Sequence, residues 1–435
     1  MTVLSILILI VKIISSNGIF LQCDTWALLY IPTGCVISSN ISIPKDASIT
    51  VSNMNNNLTF LELSCTFDAT IPMNIFVEHP KLFGFKVSNN GIKQLQMNNF
   101  KNANQLSLLT INNNDITLLK NSTFYYCPNL KEVTFIANEK LRKIEPAAFK
   151  GLAKLTEIVI TGSKLDSLNN IFDYCRKLTS IHASNNSLTT LNENIFQYNV
   201  NLEHINLSNN EFTELPANLF DKIKLLQSLN LANNKLLTVS TYNAVEIYLY
   251  ENQLKTIHIT ENTQQVISYS NFIETITCAN NLSVTYMYVT NNSLTNLNCI
   301  VRMENLTMLF MERNKLTKLS RQSFMKLQLL NEIKISNNKI MKLSPQIFSP
   351  CKMLTSLEVD NLLGYKGLKK LFPKINVLLL TTRNWSCDFL TKIVSVVSNQ
   401  SIYLISNNEY LEFKSFKCQT PIWKIKNDLK GIDST

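Results

Sequence analysis

Apolar residues in this chain recur in an asymmetric frame of about two dozen positions, a period too long for one helix face or one alternating strand. Written LxxLxLxxNxL, units start at Leu58, Leu82, Leu106, Leu130, Leu155, Leu178, Leu202 and Leu226, and continue from Ala244, Thr263, Val284, Leu306, Leu330, Leu354 and Ile375. The copies LEHINLSNNEF from Leu202, LQSLNLANNKL from Leu226 and LNEIKISNNKI from Leu330 keep the frame most faithfully. A repeat of this length makes each unit one supersecondary element, not a domain. Each unit predicts a short strand whose leucines point inward, and no unit can bury them until neighbours cover both sides.

Stacking then aligns the strands in parallel, about 4.8 Å apart. The turn after each strand leaves interior backbone groups unpaired, and an Asn amide can both donate to and accept from them. Asn90, Asn114, Asn138, Asn186, Asn210, Asn234, Asn252, Asn271, Asn292, Asn314 and Asn338 hold that position and are expected to be structural. A second apolar ladder is expected on the returning side from Phe76, Phe100, Phe124, Phe149, Phe172, Phe196, Phe220, Phe324, Phe348 and Phe372. Units between 226 and 305 are shorter and lack this Phe, so their outer connection is expected to be tighter or irregular. The frame is the signature of leucine-rich repeats. It predicts an α/β solenoid, a horseshoe whose parallel sheet lines the concave face, with cysteine-bearing caps at both ends. About 14 units are expected over 58–383, preceded by an N-terminal cap at 19–57.

Ten cysteines refine this picture. Cys278 and Cys299 occupy the same position of consecutive units, which puts their Cα atoms roughly 5 Å apart and predicts a disulfide. Cys127 and Cys175 sit two units apart, about 10 Å, so no direct bond is expected, and with Cys351 they read as buried thiols. Solenoid ends would expose core unless capped. Cys23 and Cys35 precede the first unit and are expected to close a cap, with Cys65 competing for a partner.

The apolar run Val3–Ile10, followed by small and polar residues near Ser16–Gly18, reads as a secretory leader over 1–18. Sequons at Asn40, Asn57, Asn121, Asn185, Asn206, Asn281, Asn291, Asn305, Asn384 and Asn399 are glycosylation candidates consistent with export. No segment after the leader has the uninterrupted apolar length of a transmembrane helix. A net charge of +10, with a local Lys excess over Lys366–Lys430, fits a solvated face or a polyanion site, the first being preferred. No nucleic-acid motif and no cofactor motif is present. His182 and His204, near Glu157 and Glu203, are the sole cluster with catalytic or metal-binding character, and a polar strand pair is the default reading. An enzyme is not expected.

Strand positions facing away from the leucines are mostly Ser, Thr, Asn or Glu, except in four consecutive units. There Tyr248 and Tyr250, Ile267 and Tyr269, Tyr286 and Tyr288, and Met308 and Phe310 share one face. Such a patch, about 15 Å across, marks either an interaction surface or cross-strand pairs that stabilise weakly patterned units.

The lead-in YIPTGCVISSNISI, the Asn-rich LxxLxLSNNxL units and the NWSCDFL segment resemble the extracellular leucine-rich repeat immune proteins of mosquitoes, from about Cys23 to Cys418. That resemblance implies a secreted factor that recognises pathogen surfaces or binds complement-like thioester proteins. It also implies a C-terminal cap over 384–420 with a Cys387–Cys418 bridge, followed by a tail at 421–435. No heptads follow Cys418, so the coiled coil of that family, and heterodimerisation through it, are not carried over. The alternative is a cell-surface adhesion or receptor-type signalling component held at the membrane by a partner.

Overall fold

The computed structural model describes residues 58–67, 69–224, 226–239, 242–341 and 343–360, and the backbone of strands at 14–15, 18–22, 34–43, 49–52, 377–381, 401–406 and 409–412. They fall into two compact units, Met1–Lys235 and Leu236–Thr435.

In the first unit, one parallel sheet runs through Gly34–Ile43, Phe60–Phe67, Gly84–Ser88, Leu108–Asn112, Glu132–Ile136, Glu157–Thr161, Ser180–His182, His204–Asn206 and Leu226–Asn230. Register explains the repeat. Leu61, Phe85, Leu109, Val133, Ile158, Ile181, Ile205 and Leu229 pair in one row, and all are buried. The sheet begins one strand before Leu58, inside the segment expected to be a cap. Strands Ile14–Ser15 and Gly18–Gln22 pair antiparallel, and Gly18–Gln22 also pairs with Ile49–Ser52.

In the second unit the parallel order is Ala244–Tyr248, Gln265–Ile267, Tyr286–Tyr288, Met308–Phe310, Glu332–Lys334, Ser356–Val359, Val377–Thr381 and Ser401–Ser406, with Glu409–Glu412 added antiparallel. Its inward row is Ile247, Val266, Met287, Leu309, Ile333, Leu357 and Leu378.

The asparagines do what an amide in a dry turn must do. Asn210 donates through Nδ2 to the carbonyls of Ala183 and Leu207, each at 3.0 Å, and accepts from the Leu188 N–H at 3.1 Å. One side chain thus ties two adjacent turns together. The residue before it takes a left-handed backbone: φ is 55° at Asn185, 54° at Asn209 and 53° at Asn233. Asn tolerates that region better than other non-glycine residues, which accounts for the doubled Asn of the repeat.

Outside the sheet, Phe side chains form a second spine. Ring centroids lie 5.3 Å apart for Phe100 and Phe124, 5.7 Å for Phe124 and Phe149, and 5.8 Å for Phe196 and Phe220. Phe324 and Phe348 repeat the arrangement in the second unit at 5.0 Å. Phe372 lies outside the described residues. Full burial of each ring contributes about 1.5–3 kcal/mol before ordering costs.

For the short units the sequence predicts a tighter or irregular connection; their outer side is a regular parallel pair of strands, Thr256–Ile259 and Thr275–Cys278. Ile257, Ile259 and Ile276 are buried beneath it. Alternating β-branched residues fill with a flat strand the space that a Phe-bearing loop fills elsewhere. Cys278, at the end of the second outer strand, is joined to Cys299 by a disulfide with a Cα separation of 6.0 Å.

Candidate functional site

On a parallel strand, side chains alternate between the packed face and the open one. In the second unit Ile247 and Leu249 turn inward, so Tyr248 and Tyr250 face outward, and the same alternation places Ile267, Tyr269, Tyr286, Tyr288, Met308 and Phe310. These side chains meet. Tyr250 and Tyr269 stack at 4.6 Å and 5°, and Tyr269 lies 4.9 Å from Tyr288. Phe310 then receives Tyr286 and Tyr288 edge-on, each at 5.7 Å. Tyr248 is anchored separately, its hydroxyl donating to Glu246 at 3.0 Å. Burial raises the phenols of Tyr248, Tyr269, Tyr286 and Tyr288 above their ordinary value, so they remain neutral donors at physiological pH.

Beyond Phe310 the face changes from aromatic to charged. Lys334 Nζ lies 4.8 Å from the Phe310 ring centre and 3.5 Å from Glu332. Glu312 accepts from the Thr290 hydroxyl at 2.6 Å, Glu358 accepts from the Ser336 hydroxyl, and Asp360 accepts from the Asn337 N–H. Burial raises the carboxyls of Glu312 and Glu358, and it pushes Asp360 up to about 6. Sequence reasoning did not single out Lys334, Glu332, Glu312, Glu358 or Asp360. The available signal was their position in the same outward register as the tyrosines.

The corresponding row in the first unit is Lys86, Thr110, Thr134, Val159, His182, Asn206 and Asn230, with no ring other than the imidazole. His182 and His204 are offset by two register positions, and His182 bonds to Ser180 on its own strand at 3.0 Å. Among the described residues no cluster of His, Cys, Asp or Glu is arranged to hold a metal ion.

Cys127, Cys175 and Cys351 are buried free thiols. Burial pushes Cys175 and Cys351 up to about 12 and Cys127 higher still, leaving all three protonated and unreactive. Cys35 takes part in a disulfide. Cys23, Cys387 and Cys418, and the Cys65 side chain, lie outside the described residues, as do the Lys-rich side chains of Lys366–Lys430. Of the sequons, Asn121, Asn185, Asn281, Asn291 and Asn305 are exposed and Asn206 is half-buried on its strand. Asn40, Asn57, Asn384 and Asn399 fall outside the described side chains. No helix among the described residues is long and apolar enough to cross a membrane.

One strand per repeat, an inward leucine row and an asparagine ladder define a leucine-rich repeat solenoid. The leucine rich repeat family model matches residues 104–165, 128–188, 176–236 and 312–361. No curated protein matches the chain in sequence. Among solved structures, a leucine-rich repeat protein of Leptospira interrogans is similar at a TM-score of 0.68 and 20% identity, covering 87% of this chain and 98% of that one. The mosquito LRIM1/APL1C complex is similar at a TM-score of 0.57 and 17% identity, covering 97% of this chain and 73% of that one. The TLR13–ssRNA13 complex gives 0.60 and 17%, with 91% and 68% covered. These structures share the solenoid fold of this chain at low identity.

Proposed function

We propose that this chain is a secreted, glycosylated and non-enzymatic recognition protein of innate immunity, which binds a protein partner through the open sheet face between Tyr248 and Phe310. The contiguous ring run on that face carries the reading, because the matching row of the first unit holds polar side chains except Val159, and tyrosine is favoured at interface hot spots. Fold-level likeness to LRIM1/APL1C is consistent with partnership between proteins; pathogen-surface or complement-like proteins are the partner classes that the sequence resemblance implies. The exposed sequons, including Asn281, Asn291 and Asn305 in the second unit, suit an exported chain.

The test replaces Tyr250, Tyr269 and Tyr288 together by Ser in the full chain expressed for secretion. Wild-type protein is expected in the medium and, used as bait in extracellular fluid, retains a partner that the triple variant loses while melting normally. Equal retention by both proteins overturns the assignment of the face, and retention of the wild type inside the cell overturns secretion.

A further inference from the structure

The aromatic face ends in charge opposite in sign to the chain as a whole. Although the protein carries +10, Glu358 stands in register with Lys334, which lies over Phe310, while Glu312 and Asp360 accept from the Thr290 hydroxyl and the Asn337 N–H on the same side of the sheet. Lys334 acts on Glu312 and Glu358, and Arg313 on Glu358. Glu332 flanks Lys334 from its own strand. Each of the three carboxyls is raised first by burial, and Glu358 raises both Glu312 and Asp360 further. Like charges held together in a half-dry environment favour an added cation. The rings favour the same chemistry, since a tyrosine or phenylalanine face attracts guanidinium and ammonium groups. Lys334 over Phe310 is already one such pair.

We propose that this face docks an extended, arginine- and lysine-bearing segment of the partner protein, its side-chain stems lying on Tyr288 and Phe310 and its charged heads directed to Glu312 and Asp360, with the buried Glu358 adding to the negative charge they meet. The inference rests on the binding role assigned to the aromatic face and narrows it to one partner chemistry. Five strand steps separate the strand of Tyr250 from that of Asp360, about 24 Å, which about seven extended residues span. Lys334 occupies part of the same surface. Its removal therefore strengthens the site for an incoming cation.

The test measures fluorescence anisotropy of a labelled twelve-residue peptide alternating glycine and arginine against the full chain at physiological salt, with matching glycine–glutamine and glycine–glutamate peptides. The arginine peptide is expected to bind and the other two are not, against the repulsion of the chain's net charge. Glu312→Gln with Asp360→Asn keeps the acceptor atoms for Thr290 and Asn337 and removes two charges, so affinity falls about tenfold or more with an unchanged melt. Lys334→Gln raises affinity several-fold. No preference for the arginine peptide, or unchanged affinity in the Glu312/Asp360 variant, overturns the inference. If the tyrosine triple variant loses its captured partner while the arginine peptide neither binds nor competes, this inference fails and the interaction surface stands.

Discussion

The 24-residue repeats of the first unit and the short repeats of the second each build an inner parallel sheet of the same kind, on different outer walls. In the first, turns carry a stacked Phe at each step, as with Phe100, Phe124 and Phe149. In the second, Thr256–Ile259 and Thr275–Cys278 replace the loops by strands, and a disulfide ties the last of them to Cys299. The inner sheet is demanding because every leucine must register with its neighbours, whereas the outer wall must only return the chain and exclude water. Large rings do this by volume. Strands do it by hydrogen bonding, with less apolar area, and a crosslink makes up part of the difference. The two regions differ equally on the open face: threonines, asparagines and a histidine in one, a ring ladder ending in carboxylates in the other.

The largest effect should come from the Phe wall. Phe124→Ala is expected to cost about 3–5 kcal/mol, and Ile257→Ala in the outer strand about 2 kcal/mol, toward the low end for a buried aliphatic. Denaturant titration checks both, and equal costs would dissolve the distinction between the walls. Next, Cys278→Ala together with Cys299→Ala should cost about 3 kcal/mol through the loop they close. Hydrogen exchange should place that loss in the second unit alone.

Smaller effects test what the regions share. Asn210→Ala and Asn271→Ala orphan equivalent backbone groups, since Asn271 accepts from Leu254 at 3.0 Å and donates to Leu249 at 2.9 Å. Each should cost about 2–3 kcal/mol, and a clear inequality in thermal melts would show that the ladder is not uniform. Glu251 holds φ of 55° where most units place Asn. Glu251→Asn should therefore stabilise by about 0.5–1 kcal/mol. The smallest effect is pH-dependent. Asp360 has its folded-state value raised from 3.8 to about 6, so its proton is held more tightly in the folded chain. Its stabilising contribution is complete below about pH 4 and is lost as pH rises through about 6. Asp360→Asn should flatten that part of the stability profile, and an unchanged slope would remove Asp360 from the account.

Much was legible in the linear chain because strand alternation and repeat stacking are rules of short range. Knowing the frame LxxLxLxxNxL is enough to infer inward rows, buried asparagines and a Phe spine, and to put Tyr250, Tyr269 and Tyr288 on one face. The first Asn of each pair was less transparent, since its role lies in backbone conformation and not in contacts. The outer strand pair escaped detection because TIHI and TITC are too short to distinguish from loop by pattern. The carboxylates escaped for another reason. Glu312, Glu358 and Asp360 are separated in sequence by as much as two repeats, and nothing local marks them as a group. Side-chain periodicity is written residue by residue, so the solenoid and its faces could be read directly. Charge clustering depends on which strands stack, how deeply each carboxyl sinks and where Lys334 reaches, quantities that exist only once the turns are packed together.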